Sequence, residues 1–158
     1  MVQYLPRELR AFGDVPSNNV GGEPGVGDRV RLFRSTIHLD APYINSTSNA
    51  AQWLTTDTAL LVPGSMLRGS RFLYGMISTS LSLGTSTVAI GVSGATGRYR
   101  TAAVFTAVDT PTLFGNVLTG LAAGPLAADD NVIMTIAVAA LPNTATHRLI
   151  VDLYFGNA

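Results

Sequence analysis

STVAIGVSGATGRYRTAAVFT, Ser86 to Thr106, is the stretch that decides the fold class. Val88, Ile90 and Val92 alternate with Thr87, Ala89, Gly91 and Ser93, and a period of two is that of a half-buried β-strand. Gly94 and Gly97 follow, and glycine accepts the positive φ that short hairpin loops use. The stretch predicts two short strands joined by a tight turn. Nothing in it is chemically reactive.

The pattern continues on both sides. Val30 to Leu39 predicts a strand with Phe33, Ile37 and Leu39 on one face. Pro42 to Gln52 reads as loop, and Thr58 to Val62 as a short apolar run ending at a Pro63-Gly64 turn. Arg71 to Leu83 alternates from Leu73, with Ile77, Leu81 and Leu83 opposed by Ser78, Ser80 and Ser82. Thr112 to Phe114 fits a short strand, while Asn116 to Leu126 is interrupted by Gly and Pro and holds at most a turn or two of helix. Val132 to Ala140 places Val132, Met134, Ile136 and Val138 on one face. After Pro142-Asn143, Arg148 to Phe155 sends Leu149, Val151, Leu153 and Phe155 inward and Arg148 and Asp152 outward. About seven or eight short strands, with no long amphipathic helix and no strong internal repeat, predict an all-β domain over residues 29–158, an antiparallel sandwich or barrel.

Met1 to Asp28 is different. Pro6, Pro16 and Pro24, with Gly13, Gly21, Gly22, Gly25 and Gly27 and the run Ser17-Asn18-Asn19, disfavour regular structure. Tyr4-Leu5 and Leu9 to Phe12 are apolar anchors within it. The segment fits either a disordered terminus or an extended N-terminal arm, residues 1–28, that lies on a partner and orders on contact, and the arm is the expectation carried forward. It has no basic segment followed by an apolar core, so it does not read as a secretory signal. Val132 to Leu141 is too short for a membrane span and contains Thr135, so no membrane partner is expected.

Composition narrows the chemistry. The 158 residues are long enough for one domain with a core that needs no covalent staples. Charged residues are 13% against 47% hydrophobic, about half the usual charged share, which favours a surface partly hidden in an assembly. Net charge is zero, so no basic field invites nucleic acid. All ten cations are arginine. Without lysine there is no Schiff base and no P-loop, and without cysteine no disulfide, thiolate zinc site or thiol nucleophile.

The remaining motifs are weak. His38 lies near Asp40, and His147 precedes Arg148; serines are plentiful, but no G-x-S-x-G elbow exists, so rim or loop histidines are expected rather than a hydrolase triad. Asp129-Asp130-Asn131 lacks the spaced acids of a calcium loop and fits a turn before the Val132 strand. No pair of carboxylates sits in a glycosidase-like motif. Gly21 to Gly27 and Gly91 to Gly97 lack the strand–Gly–helix context of a phosphate site, so no cofactor is expected. Asn45-Ser46-Thr47 fits a glycosylation sequon that matters only in a secreted chain. Arg29, Arg31 and Arg34, and Arg98 and Arg100 beside Tyr99, suit solvated strand faces or protein contacts better than a nucleic-acid site.

Three segments together carry a family resemblance: Leu61-Val62-Pro63-Gly64-Ser65; Gly84-Thr85-Ser86-Thr87-Val88-Ala89-Ile90-Gly91-Val92 with Gly97-Arg98-Tyr99; and Arg148-Leu149-Ile150-Val151-Asp152-Leu153-Tyr154-Phe155. Over Ala59 to Phe155 the chain resembles small accessory virion proteins of tailed bacteriophages. The resemblance implies a jelly-roll-like β-sandwich that decorates or cements the capsid. It implies a homotrimer bound to the major capsid protein on the outer surface of the virion, with no catalytic residues. Tyr4, Arg7, Arg10 and Phe12 are the expected capsid contacts of the arm. An alternative is a tail or fibre-associated module that binds a host-surface glycan, for which Trp53, the single tryptophan, is the candidate stacking residue.

Overall fold

The computed structural model describes residues 30–39, 52–67, 69–115, 126 and 130–157. Eight strands run in chain order: β1 (Arg31–His38), β2 (Thr58–Val62), β3 (Ser70–Thr79), β4 (Thr87–Val92), β5 (Ala95–Val104), β6 (Thr112–Phe114), β7 (Val132–Ala137) and β8 (Arg148–Asn157). Among the described residues the helical content is one 3₁₀ turn, Gly64–Met66, just after Pro63. Two four-stranded sheets form, ordered β1-β8-β3-β6 and β2-β7-β4-β5. Every strand pair is antiparallel. The fold is thus an all-β sandwich, as the alternation predicts. Its pairing is nested: β4 with β5, β3 with β6, β2 with β7 and β1 with β8 are all neighbours.

The inner faces meet in one apolar cluster. β8 supplies Leu149, Val151, Leu153 and Phe155, all with no solvent exposure, and β7 supplies Val132, Met134 and Ile136. Full burial of each such side chain is worth about 1.5–3 kcal/mol. At one end Phe72 gathers the aromatic residues, with Tyr99 at 4.2 Å, Phe155 at 5.5 Å edge-on and Phe114 at 6.3 Å. Two glycines make room for these rings. A Cβ on Gly75 would lie 2.2 Å from the Phe114 ring, and one on Gly115 would lie 2.5 Å from the Phe72 ring.

Four expectations change in the structure. Leu73 does not start the inward series: β3 has a bulge between Phe72 and Tyr74, so Phe72 faces the core and parity resumes at Gly75 and Ile77. β3 ends at Thr79, although Leu83 still reaches the core. β7 stops at Ala137, and Val138, with φ 71° and 74% exposure, turns away from Met134 and Ile136. Finally, β4 is buried on both sides from Val88 to Val92, because β5 carries extra residues and bulges across it.

The hairpin turn itself is two residues, Ser93 and Gly94, closed by the Val92–Ala95 pair. Gly94 takes φ +85°, whereas Gly97 takes no positive φ. Gly91 is needed for a different reason: a Cβ there would sit 2.1 Å from the Ala95 carbonyl oxygen and 2.6 Å from the Thr96 carbonyl carbon. Both are backbone atoms that cannot move alone. Gly91→Ala should therefore lower unfolding free energy by about 3 kcal/mol. Gly97→Ala, whose nearest neighbour is at 3.4 Å, should change it by less than about 0.5 kcal/mol. Urea denaturation of the two variants checks the difference.

Candidate functional site

β8 lies in the middle of the first sheet, so its outward side chains and those of its neighbours fall into rows set by the register. Leu32, Tyr154 and Tyr74 form one row. Arg34, Asp152, Met76 and Leu113 form the next, and Thr36, Ile150 and Ser78 the third. The outer face of an antiparallel sheet is ordinarily polar. Here the first two rows are aromatic and aliphatic except for one ion pair. Tyr74 and Tyr154 stack at 4.4 Å and 18°, while Leu32 and Leu113 are 50% and 69% exposed.

The ion pair is the centre of this face. The Arg34 guanidinium forks onto Asp152, Nε donating to Oδ1 and Nη2 to Oδ2, both at 2.7 Å. Asp152 points outward as the alternation predicts, but it is 1% exposed rather than solvated, because Arg34 and the flanking rows cover it. The hydrogen bonds and charge of Asp152 hold the Arg34 proton more tightly than usual. A bidentate pair of this kind fixes geometry and neutralises the face at once.

At the far end the same face sinks into a hollow of about 480 Å³, lined by Ser78, Ser80, Asp109, Thr146, Arg148 and Ile150 among others. Asp109 (φ 51°) and Thr146 (φ 70°) hold left-handed backbone, which is strained for a β-branched residue. Beside the hollow His147 Nδ1 lies 3.1 Å from Ser80 Oγ and 3.2 Å from the Ser80 carbonyl oxygen, and the Arg148 backbone N–H donates to Ser80 Oγ at 3.0 Å. These bonds clamp the turn after β3 to the start of β8. Among the described residues no carboxylate hydrogen-bonds either histidine, so the pieces of a nucleophilic triad are not brought together there.

Other sequence candidates have structural roles. The His38 carbonyl accepts a bond from Trp53 Nε1 at 3.1 Å, and Trp53 is 5% exposed, so its ring is a loop anchor rather than a sugar-stacking platform. Arg31 reaches the Met66 carbonyl at 3.4 Å. Asn131 Oδ1 accepts the Gly64 N–H at 2.8 Å, which ties the Pro63-Gly64 turn to the loop before β7. Asp130 lies 3.9 Å from Arg98. No three metal-ligating side chains cluster among the described residues. Tyr4, Arg7, Arg10, Phe12, the glycine run 21–27, Arg29, Asp40, the sequon 45–47 and Asp129 lie outside the described residues.

In the Arg98–Tyr99–Arg100 trio the two arginines are half-buried and Tyr99 is buried, so Tyr99 is not a stacking platform. Arg100 donates to the carbonyls of Val88, Ala103 (3.1 Å) and Val104 (3.2 Å), which staples the β5 bulge, and burial lowers its pKa. Tyr99 is 7% exposed, and its hydroxyl has no hydrogen-bond partner among the described residues. Burial pushes its pKa up to about 12 from 10, Arg98 opposing the shift and Asp130 adding to it. An acid held above its unfolded pKa stays protonated in the fold while the unfolded chain ionises. Its contribution is intact below pH 10 and lost as pH climbs toward 12. Tyr99→Phe should stabilise the fold by about 1 kcal/mol at neutral pH, by removing an unpaired buried hydroxyl. It should also flatten the loss between pH 10 and 12. Urea titrations across that range test both.

No protein-family model matches the chain. No curated protein matches it either. Solved structures do. A chain of the cyanophage Pam1 capsid asymmetric unit superposes with a TM-score of 0.57 at 16% identity, over 92% of this chain and 99% of that one. A chain of the capsid of Ralstonia phage GP4 superposes with a TM-score of 0.60 at 15% identity, over 86% of this chain and 89% of that one. The two-sheet sandwich described above is therefore a fold that this chain shares, almost end to end, with chains of two phage capsids.

Proposed function

We propose that this chain is a non-enzymatic structural protein of a tailed-phage virion, a decoration or cement protein that binds the major capsid protein on the outer surface of the shell. The observation that carries the reading is the fold likeness to chains from the capsids of two different phages, at nearly full length on both sides. The nested strand pairing supports the jelly-roll winding expected of such a protein. The low charge content supports the interface role, since each charge buried against a partner must be desolvated.

In this reading the sandwich is residues 29–158 and the arm is residues 1–28, with Tyr4, Arg7, Arg10 and Phe12 as its contacts. A homotrimer presents three arms at once, and linked copies bind a repeating lattice with an avidity that no single copy reaches. Trp53 is buried, which removes the stacking residue on which the glycan-binding alternative depended.

Capsids lacking this protein, incubated with the purified chain and imaged by cryo-electron microscopy, should gain regular outer-surface density of sandwich size. Deleting Met1 to Gly27 should abolish that density while far-UV circular dichroism still reports a folded β-sandwich. Full binding by the truncated chain would remove the arm from the reading.

A further inference from the structure

An edge strand exposes unpaired N–H and C=O groups, and a second chain can add to them. The two sheets of the sandwich meet along two edges. On one, Ser35 Oγ of β1 donates to the Leu61 carbonyl of β2 at 2.9 Å, which ties the edge strands together. On the other, β6 has only three residues, so β5, with ten, presents the longer edge. Its last four residues, Thr101 to Val104, are all exposed and include no charge, proline or glycine. Such a stretch favours pairing with another strand.

The register fixes which backbone groups face outward. Ile136 of β7 accepts from Thr56 and donates to Asp57, on the β2 side, so its partner Val88 turns its own backbone groups toward β5. Ala103 faces Val88, and the Phe105 carbonyl accepts the Leu83 N–H. Val104, between them, therefore turns its carbonyl to the open edge. Arg100 Nη2 donates to that carbonyl at 3.2 Å, while Nη1 donates to Ala103 at 3.1 Å and to Val88. Among the described residues Arg100 has no carboxylate partner, and burial already holds its pKa below the usual value. A strand laid along β5 would compete for the Val104 carbonyl and bury this charge uncompensated, which is costly.

We infer that Arg100 guards the β5 edge, and that without it β5 pairs with the β5 of a second copy of this chain. The occupant is a second copy because the pairing is self-complementary. Antiparallel β5 strands related by a twofold axis set Thr101 to Val104 against the same residues, and the stretch brings no charge of its own. With arginine in place, two guanidiniums would meet at one seam, so the residue repels its own copy as well as capping the edge. The β5 bulges also blunt an edge, but both fall before Ala103. Ala103 and Val104 lie beyond them, and the guanidinium covers these two. The inference stands apart from the capsid reading.

The test is the assembly state of full-length variants, by sedimentation velocity over a concentration series, with urea midpoints to check folding. Arg100→Met keeps the apolar stem and removes the charge, and should raise the self-association constant about tenfold or more over the parent. Arg100→Lys keeps a charge at the edge and should stay within about twofold of the parent. Adding Ala102→Lys to Arg100→Met restores an edge charge and should return the parent's state. Amide hydrogen exchange at Thr101 to Val104 should slow as Arg100→Met associates, which places the new contact on β5. The inference is overturned if folded Arg100→Met assembles like the parent, if it associates with exchange at Thr101 to Val104 unchanged or undeterred by Ala102→Lys, or if Arg100→Lys associates as strongly. Arg100→Gln replaces Arg100→Met, under the same criteria, if that variant does not fold. A chain that folds with neither neutral residue also overturns the inference, because Arg100 is then a staple of the fold and not a guard.

Discussion

The sandwich depends on the insertion of β8 between β1 and β3. Sheet order β1-β8-β3-β6 means that without the final strand β1 has no partner in its sheet and β3 keeps only the three-residue β6. β8 also carries the densest stripe of the core, and its Phe155 ring sits among Phe33, Phe72 and Tyr99 at 5.9, 5.5 and 6.2 Å. On its other side the same strand supplies Asp152 to an arginine 118 residues away. One strand therefore sets the inner packing, the outer ion pair and the register of both neighbours. Such non-local pairing makes a fold slow to assemble, because a long loop must close before the contacts that reward it exist. The nested order softens this. β4 and β5 close over a two-residue turn, and each pair outside them finds its ends already drawn together.

The strands were legible because their signal is local. Thr58–Val62 and Thr112–Phe114 coincide with the expected runs, and the inward residues of β8 are those that alternation selects. The departures occur where one segment answers to another. A bulge at Leu73 flips parity in a way that no local pattern encodes, since Leu73 is as apolar as Phe72. Val138 continues the alternation of β7, yet the backbone leaves the strand with a positive φ. Gly91 looked like a small residue on a polar face. Its smallness is demanded by the carbonyl of Ala95, and that contact exists only because β5 bulges.

The site was harder to read than the fold for the same reason. Leu32, Tyr74, Leu113 and Tyr154 are scattered through the sequence, and each alone is an unremarkable exposed or half-exposed apolar residue. Only the register of three strand pairs gathers them. Arg34 and Asp152 each looked like an ordinary solvated strand charge, and pairing across β1 and β8 turned them into a neutral centre. Trp53 and Tyr99 drew attention because large aromatics in polar company suggest recognition. Both serve the interior, Trp53 through His38 and Tyr99 through Phe72.

The nested pairing also determines the polarity of the molecule as a carrier. Arg31 pairs with Phe155 and Ser70 with Asn157, while Arg31 touches Met66 and Gly64 touches Asn131. Whatever precedes Val30 and whatever follows Asn157 leave the sandwich at one pole, together with the Ser93-Gly94 turn. The opposite pole holds two exposed turns, at Gly84-Thr85 and at Asn143 to Thr146. A peptide grafted into either turn would be displayed away from both chain ends, whereas one fused after Asn157 would compete for space with the N-terminal segment. The topology thus gives the sandwich one end from which both described termini leave and another that carries exposed turns, and those turns are the natural place for foreign cargo.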